Sequence, residues 1–323
     1  MKNAKIVVLI ILSATLITLS LFADDGAVEV AAGGVVFKEL HGVTMESEVL
    51  KISPEKVEVT FRFRNNTDKD IETNVAFPVP LFGYSAGWNH HKIPDFHDFT
   101  VLVDGRAIKY DTEIKAIANE KECTDLLKKK GVPFQNIGHE GFCLEDYFKS
   151  SEVKKYVSLG IVEPYEWEGK TRYRPAWKVA IIYFWKQNFP AKKETIIRHT
   201  YSPVCGATQY WTNESVDYEW WMPSVGKYCT KDDIRKWIKS NYPSDCFLYP
   251  NWVSYILKTA NTWDGPIKDF TLEIKKDPQE KVLLCNDLPS GETTLTKINI
   301  NVKNYTPTAD LIVYYFEKDC INY

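Results

Sequence analysis

No two of the seven cysteines are spaced C-x-x-C, so neither a thioredoxin-like redox pair nor a zinc ribbon is encoded. Neither sign of charge dominates: 40 Lys and Arg stand against 43 Asp and Glu, a formal charge of −3. Affinity for nucleic acid rests on neutralising phosphates with a basic excess, so no nucleic-acid partner is expected. Glycine and proline, 16 of each in 323 residues, are too few for a collagenous or low-complexity chain. There is no Walker loop, no G-x-G-x-x-G and no H-E-x-x-H. That removes the familiar sequence routes to a phosphate cradle, a dinucleotide fold and a helix-borne zinc pair. Beyond residue 23 no apolar run is long enough to cross a bilayer.

Hydrophobic residues make up 44 % and aromatics 14 % of the chain, ample for a core. Lys2 and Lys5 precede an uncharged run from Ile6 to Phe22, which ends at Ala23 before Asp24-Asp25. This is the layout of a secretory signal peptide over residues 1–23, with an uncleaved anchor as the alternative. No cysteine stands directly after the apolar run, so a lipid anchor is not expected. The chain is therefore expected to be periplasmic or secreted, with no membrane span after cleavage. An oxidising compartment makes disulfides the default, and an odd count leaves at least one thiol over. Cys123 and Cys143 flank a short segment and could close a local loop.

Val57, Val59, Phe61 and Phe63 alternate with polar residues as a half-buried strand. Asn65 to Asp70 is turn chemistry, and Thr73, Val75 and Phe77 alternate up to Pro78, so the pair reads as a hairpin. Val101 and Val103 lead into the tight-turn signal Asp104-Gly105. Ile114, Ile117, Ala118, Leu126 and Leu127 then take helical spacing, stopped by Gly131, and a second short helix runs from Ser151 to Leu159 before Gly160. Strand patterns return with Val179 to Trp185, Ile197 to Tyr201, Val253 to Leu257, Phe270 to Ile274, Ile298 to Val302 and Leu311 to Phe316. Thr230, with Asp233 three residues on, caps a short helix. The expected fold is mainly β: two antiparallel sandwich-like halves, 24–111 and 171–323, with a helical insertion or linker at 112–170.

Three histidines, His90, His91 and His97, lie in one loop with Asp95 and Asp98. Imidazoles and carboxylates together suit zinc or copper, although the spacing follows no defined motif; the alternative is a polar surface loop. His199 sits in an alternating strand and reads as a packed residue rather than a general base. Trp211, Tyr218, Trp220 and Trp221 crowd the segment 206–228. Such aromatics stack on sugars, anchor a protein interface or cap a core. This segment is the first choice for a binding surface.

Several runs together resemble the bacterial family called domain of unknown function 4424. They include Ala31-Ala32-Gly33-Gly34-Val35-Val36-Phe37, Met45-Glu46-Ser47-Glu48, Phe61-Arg62-Phe63-Arg64-Asn65, Phe77-Pro78-Val79-Pro80, Tyr183-Phe184-Trp185 and His199-Thr200-Tyr201. The most specific runs from Val253-Ser254-Tyr255-Ile256-Leu257 through Trp263-Asp264-Gly265-Pro266 to Phe270. The resemblance implies an exported, mostly β protein and carries over no catalytic residue. It also implies that Cys229 and Cys285 pair. The first half is similar to the β-sandwich module of inter-alpha-trypsin inhibitor-type proteins. The expected function is a non-catalytic binding or scaffolding module of the cell envelope, with an envelope protein or a glycan as partner. The alternatives are a metal-dependent envelope enzyme using His90, His91 and His97, and a carbohydrate-binding module.

Overall fold

The computed structural model describes residues 26–31, 34–84, 98–137, 142–149, 151–208, 210–212, 223 and 228–319. Two large sheets carry the architecture. The six-stranded sheet runs in the order Gly34–Phe37, Gly26–Ala31, Ile71–Gly83, Lys178–Phe189, Asp111–Ala118, Lys121–Glu122. The eight-stranded sheet runs Glu292–Thr293, Lys297–Tyr305, Ile267–Lys275, Val43–Ile52, Val57–Asn65, Glu194–Tyr201, Thr100–Val103, Arg106–Ala107. They pack face to face, with Phe63 against Phe189 and Phe77 against His199 at centroid distances of 5.7 and 5.2 Å. The alternation read in Val57–Asn65 and Glu194–Tyr201 turns Val59, Phe61, Ile197 and His199 into this core.

A four-stranded sheet, Cys205–Ala207, Asn251–Tyr255, Leu311–Glu317, Glu280–Cys285, shares the same core. Its inner face contributes Val253, Tyr255, Val313 and Tyr315 to the main cluster. Helix α3 (Lys231–Asn241, after α1 at Thr124–Lys129 and α2 at Val153–Ser158) covers its outer face, packing Ile234 and Ile238 with Tyr314 and Phe316. Burial on both faces explains why Leu311 to Phe316 is apolar without alternation.

The two expected halves are not separate. Lys178–Phe189 lies between Ile71–Gly83 and Asp111–Ala118, and Glu194–Tyr201 lies between Val57–Asn65 and Thr100–Val103. Strands from both sides of the expected boundaries thus interleave in both large sheets. Nor is the pairing wholly antiparallel, because Val43–Ile52 runs parallel to Ile267–Lys275.

Three local expectations change with it. Val57–Asn65 and Ile71–Gly83 are not a hairpin but belong to opposite sheets. Buried Asn65 pins the crossing: its Nδ2 donates to the carbonyls of Lys69 and Phe189, and its Oδ1 accepts from Thr67 N and Thr67 Oγ1. Pro78 does not stop the second strand: among the described residues pairing with Gly26–Ala31 reaches no further than Ala76, so Pro78 faces a side with no described ladder partner, where proline is tolerated. Residues 113–118, expected as helix, form part of the strand Asp111–Ala118. It turns back through Asn119 and Glu120, at φ of 47° and 60°, into Lys121–Glu122. Its end, Lys115 to Ala118, is buried throughout, and loss of alternation there mimicked a helical pattern. The rest of the expected insertion holds α1, α2 and the hairpin Val162–Trp167/Lys170–Pro175.

Candidate binding edge and groove

Of the expected aromatic surface, Trp211 lies within the described residues; Tyr218, Trp220 and Trp221 lie outside them. Trp211 sits on a short two-stranded antiparallel sheet, Tyr210–Trp211 with Phe247–Leu248. It is 40 % exposed, and its Nε1 donates to Asp245 Oδ1 at 2.9 Å, which fixes the ring's orientation. Phe247 meets it edge-on at 6.2 Å, and Tyr249 meets Phe247 at 5.0 Å. The three rings form a row that leads into a groove of about 540 Å³.

The groove is built where Asn251–Tyr255 and Glu280–Cys285 pair with opposite edges of Leu311–Glu317. Four carboxylates, Asp277, Glu280, Glu317 and Asp319, line it against one ammonium, Lys318. Burial raises the Glu280 carboxyl above its ordinary range; the Asp277 N–H and the Lys276 ammonium oppose the shift, and the charges of Asp277 and Glu55 add to it. Glu317 Oε2 accepts from Tyr249 N at 3.1 Å, tying the aromatic row to the acidic wall. Asn251 Oδ1 is buried without a hydrogen-bond partner among the described residues. The lining is thus rich in acceptors and suits a ligand rich in donors. Sequence reasoning missed these residues because they converge only through strand pairing; nothing local marks them.

Elsewhere the chemistry is quieter. His90, His91 and His97 lie outside the described residues, within which no group of three or more His, Cys, Asp and Glu is placed to hold a metal ion. His199 is 1 % exposed and boxed by Phe61, Phe77, Phe99 and Trp185 at 5.2–5.7 Å, a packed strand residue shut off from solvent. Cys229 and Cys285 form a disulfide, and Cys246 is also disulfide-bonded. The loop closure considered for Cys123 and Cys143 is not made, for both thiols are free. Cys123 Sγ turns back to the Ala116 carbonyl at 3.4 Å, and Cys143 Sγ donates to Glu145 Oε2 at 3.2 Å.

Each free thiol among the described residues sits where the thiolate is disfavoured. Burial, helped by Glu122, pushes Cys123 up to about 11; burial, helped by Glu55, pushes Cys205 up to about 12; the hydrogen bond to Glu145 raises Cys143. None has the lowered pKa of a cysteine nucleophile. A second cleft, of about 720 Å³, lies beside Cys123, where Lys115 Nζ reaches Glu113 at 3.2 Å and Glu122 at 3.9 Å. Those three charges already satisfy one another.

The model of the family described as Domain of unknown function (DUF4424) matches residues 23–314. The chain belongs to that family. Among curated proteins, a UPF0758 protein of Clostridium tetani is 28 % identical to the DUF4424 chain over 89 residues, which is 25 % of this chain and 38 % of that protein. The chain thus spans well under half of that relative's length. Among solved structures, a candidate nutrient binding protein of Legionella pneumophila is 16 % identical, with a TM-score of 0.42 over 91 % of this chain and 70 % of the other. An M1 zinc metallopeptidase of Deinococcus radiodurans is 8 % identical, with a TM-score of 0.30 over 86 % and 43 %.

Gly83-Tyr84-Ser85-Ala86-Gly87 spells the G-x-S-x-G pattern, a motif absent from the sequence expectations. A nucleophile elbow needs a strand-to-helix turn on an α/β sheet. In this DUF4424 chain the preceding strand, Ile71–Gly83, is antiparallel to both neighbours, and Ser85 lies outside the described residues.

Proposed function

We propose that this DUF4424 chain is a non-catalytic binding module of the cell envelope that grips a basic segment of a protein partner. The observation that carries the reading is the row of exposed Trp211 and half-buried Phe247 and Tyr249 running into a groove whose carboxylates outnumber its cations. The row supplies apolar area that stays partly open to water, as an interface anchor needs. The groove supplies carboxylates for ammonium or guanidinium groups, and Asp277, Glu280 and Glu317 each have more acceptor positions than the single backbone N–H they take. The free thiols oppose cysteine catalysis, and His199 is sealed in the core.

Crosslinking in the native envelope, followed by titration of the captured partner, tests this. Trp211→Ala is expected to weaken binding about tenfold or more, the usual effect of losing an interface tryptophan. Trp211 is half open and anchors no core, so circular dichroism should be unchanged. Because the Glu280 carboxyl is raised, it takes up its proton before an ordinary carboxylate as pH falls. Affinity for a cationic ligand should therefore decline early on acidification, and Glu280→Gln should remove that part of the pH dependence. Undiminished binding in the triple variant W211A/W220A/W221A would exclude this surface.

A second reading is a carbohydrate-binding module on the same edge, favoured by the open face of Trp211, on which a sugar ring can stack. A glycan array separates the two, since sugar binding would be insensitive to Glu280→Gln.

A further inference from the structure

The hairpin Val162–Trp167/Lys170–Pro175 pairs with no other strand among the described residues. Its base is anchored: Val162 and Pro175 are buried and Tyr173 packs against the main core. From Glu166 to Arg172 every residue is exposed, and Trp167, at the far end, is 53 % exposed. A two-stranded ribbon whose outer half is exposed is marginal in water, and a tryptophan at its tip adds apolar surface with no core to enter.

The register sorts the side chains. Glu163 opposes Arg174, Tyr165 opposes Arg172 and Trp167 opposes Lys170, while Pro164 opposes Tyr173 and Glu166 opposes Thr171. Opposed residues share a face and successive residues alternate. The contacts agree: Arg174 lies over the Tyr165 ring at 5.6 Å and donates to Glu163, whereas Thr171 Oγ1 donates to Glu166 Oε1 at 2.8 Å. One face therefore carries two aromatic rings with Lys170 and Arg172, neither of which forms an ion pair among the described residues. Of the acids, Glu163 is on this face but is neutralised by Arg174, Glu166 is on the opposite face, and Glu168 is in the turn.

We propose that this face is a peripheral membrane contact, laid flat on an anionic bilayer with Tyr165 and Trp167 at headgroup level. Tryptophan and tyrosine favour that boundary, having an apolar body and a polar tip. Lysine and arginine are drawn to anionic headgroups. Size decides against a folded partner. The free part of the face is three residues on each strand, about 10 Å long, whereas a stable protein interface needs about 800 Å² from each side. A bilayer needs no matching shape.

Co-sedimentation with vesicles tests the proposal, using the protein recovered after export, with its N-terminus determined. Phosphatidylcholine vesicles are compared with vesicles of phosphatidylcholine mixed with phosphatidylglycerol. The expected result is partition to the mixed vesicles alone, weakened by salt. The variant K170A/R172A should lower that partition about thirtyfold, from the loss of two interfacial charges. Trp167→Ala should lower it as well, and Glu166→Gln, on the other face, should not. All these positions are exposed, so a circular dichroism spectrum serves to confirm folding. Three outcomes would overturn the proposal: no partition to mixed vesicles; equal partition to both kinds; or partition unchanged in K170A/R172A and W167A. Retention on heparin without vesicle binding would also overturn it and assign the face to an acidic glycan.

Discussion

Asn65 has a role that its residue type announces and its neighbours conceal. The run Asn65 to Asp70 reads as a turn, and it is one, but a turn does not state which sheet receives the next strand. That is decided by the Asn65 amide, which is fully buried and uses both its donors and its acceptor. Removing it leaves the Phe189 carbonyl and the Thr67 amide short of partners, while the Lys69 carbonyl keeps the Thr67 hydroxyl. Asn65→Ala should therefore cost about 2–4 kcal/mol, by the cost of unmet buried hydrogen bonds, read as a lower midpoint in urea. Asn65→Asp, which keeps the shape and loses the donors, should fall in the same direction. A second residue-scale effect escaped the sequence altogether. An irregularity between Met45 and Ser47 shifts the register, so that Glu48 turns inward and is fully buried, near the Tyr255 hydroxyl at 3.5 Å. A bulge changes which face a side chain takes without changing composition.

At the scale of elements, local chemistry was sufficient wherever it was self-contained. Helix α3 is such a case: Thr230 Oγ1 accepts from Asp233 N at 3.2 Å, while Asp233 Oδ2 accepts from Thr230 N at 2.9 Å. Both partners lie within one turn, so the sequence contains the whole device. Thr230→Ala should cost about 1 kcal/mol, the usual worth of such a cap, seen as a small fall in melting temperature with the fold retained. The tight turn at Asp104-Gly105 is equally local, with φ of 47° and 78°. The strand Asp111–Ala118 is the counter-example. Its apolar spacing fits a helix as well as a strand, and the deciding fact is its pairing with Lys178–Phe189, more than sixty residues away. Gly206 depends just as much on a distant residue, since a Cβ there would lie 2.0 Å from the Trp252 ring.

Across the whole molecule, the interleaving of distant strands has a consequence for fragments. Residues 24–111 contain strands whose central partners, Lys178–Phe189 and Glu194–Tyr201, lie outside that span. Expressed alone, they should fail to show cooperative unfolding or dispersed amide resonances; a stably folded fragment would mean that the core divides after all. The aromatic candidate surface was legible in part, through Trp211, because clustered tryptophans stand out in any sequence. The acidic groove beside it was not, because Tyr249, Glu280 and Glu317 become neighbours only when three strands pair. The sequence alone determined the β class, the half-buried strands, the cap of α3 and the family resemblance, since each rests on periodicity, on contacts a few residues apart, or on recurring runs. Tertiary structure decided the crossing at Asn65, the sharing of both large sheets by both halves, and the groove. Each of these depends on which distant strands meet, and side-chain alternation states which face is buried without naming the partner that buries it.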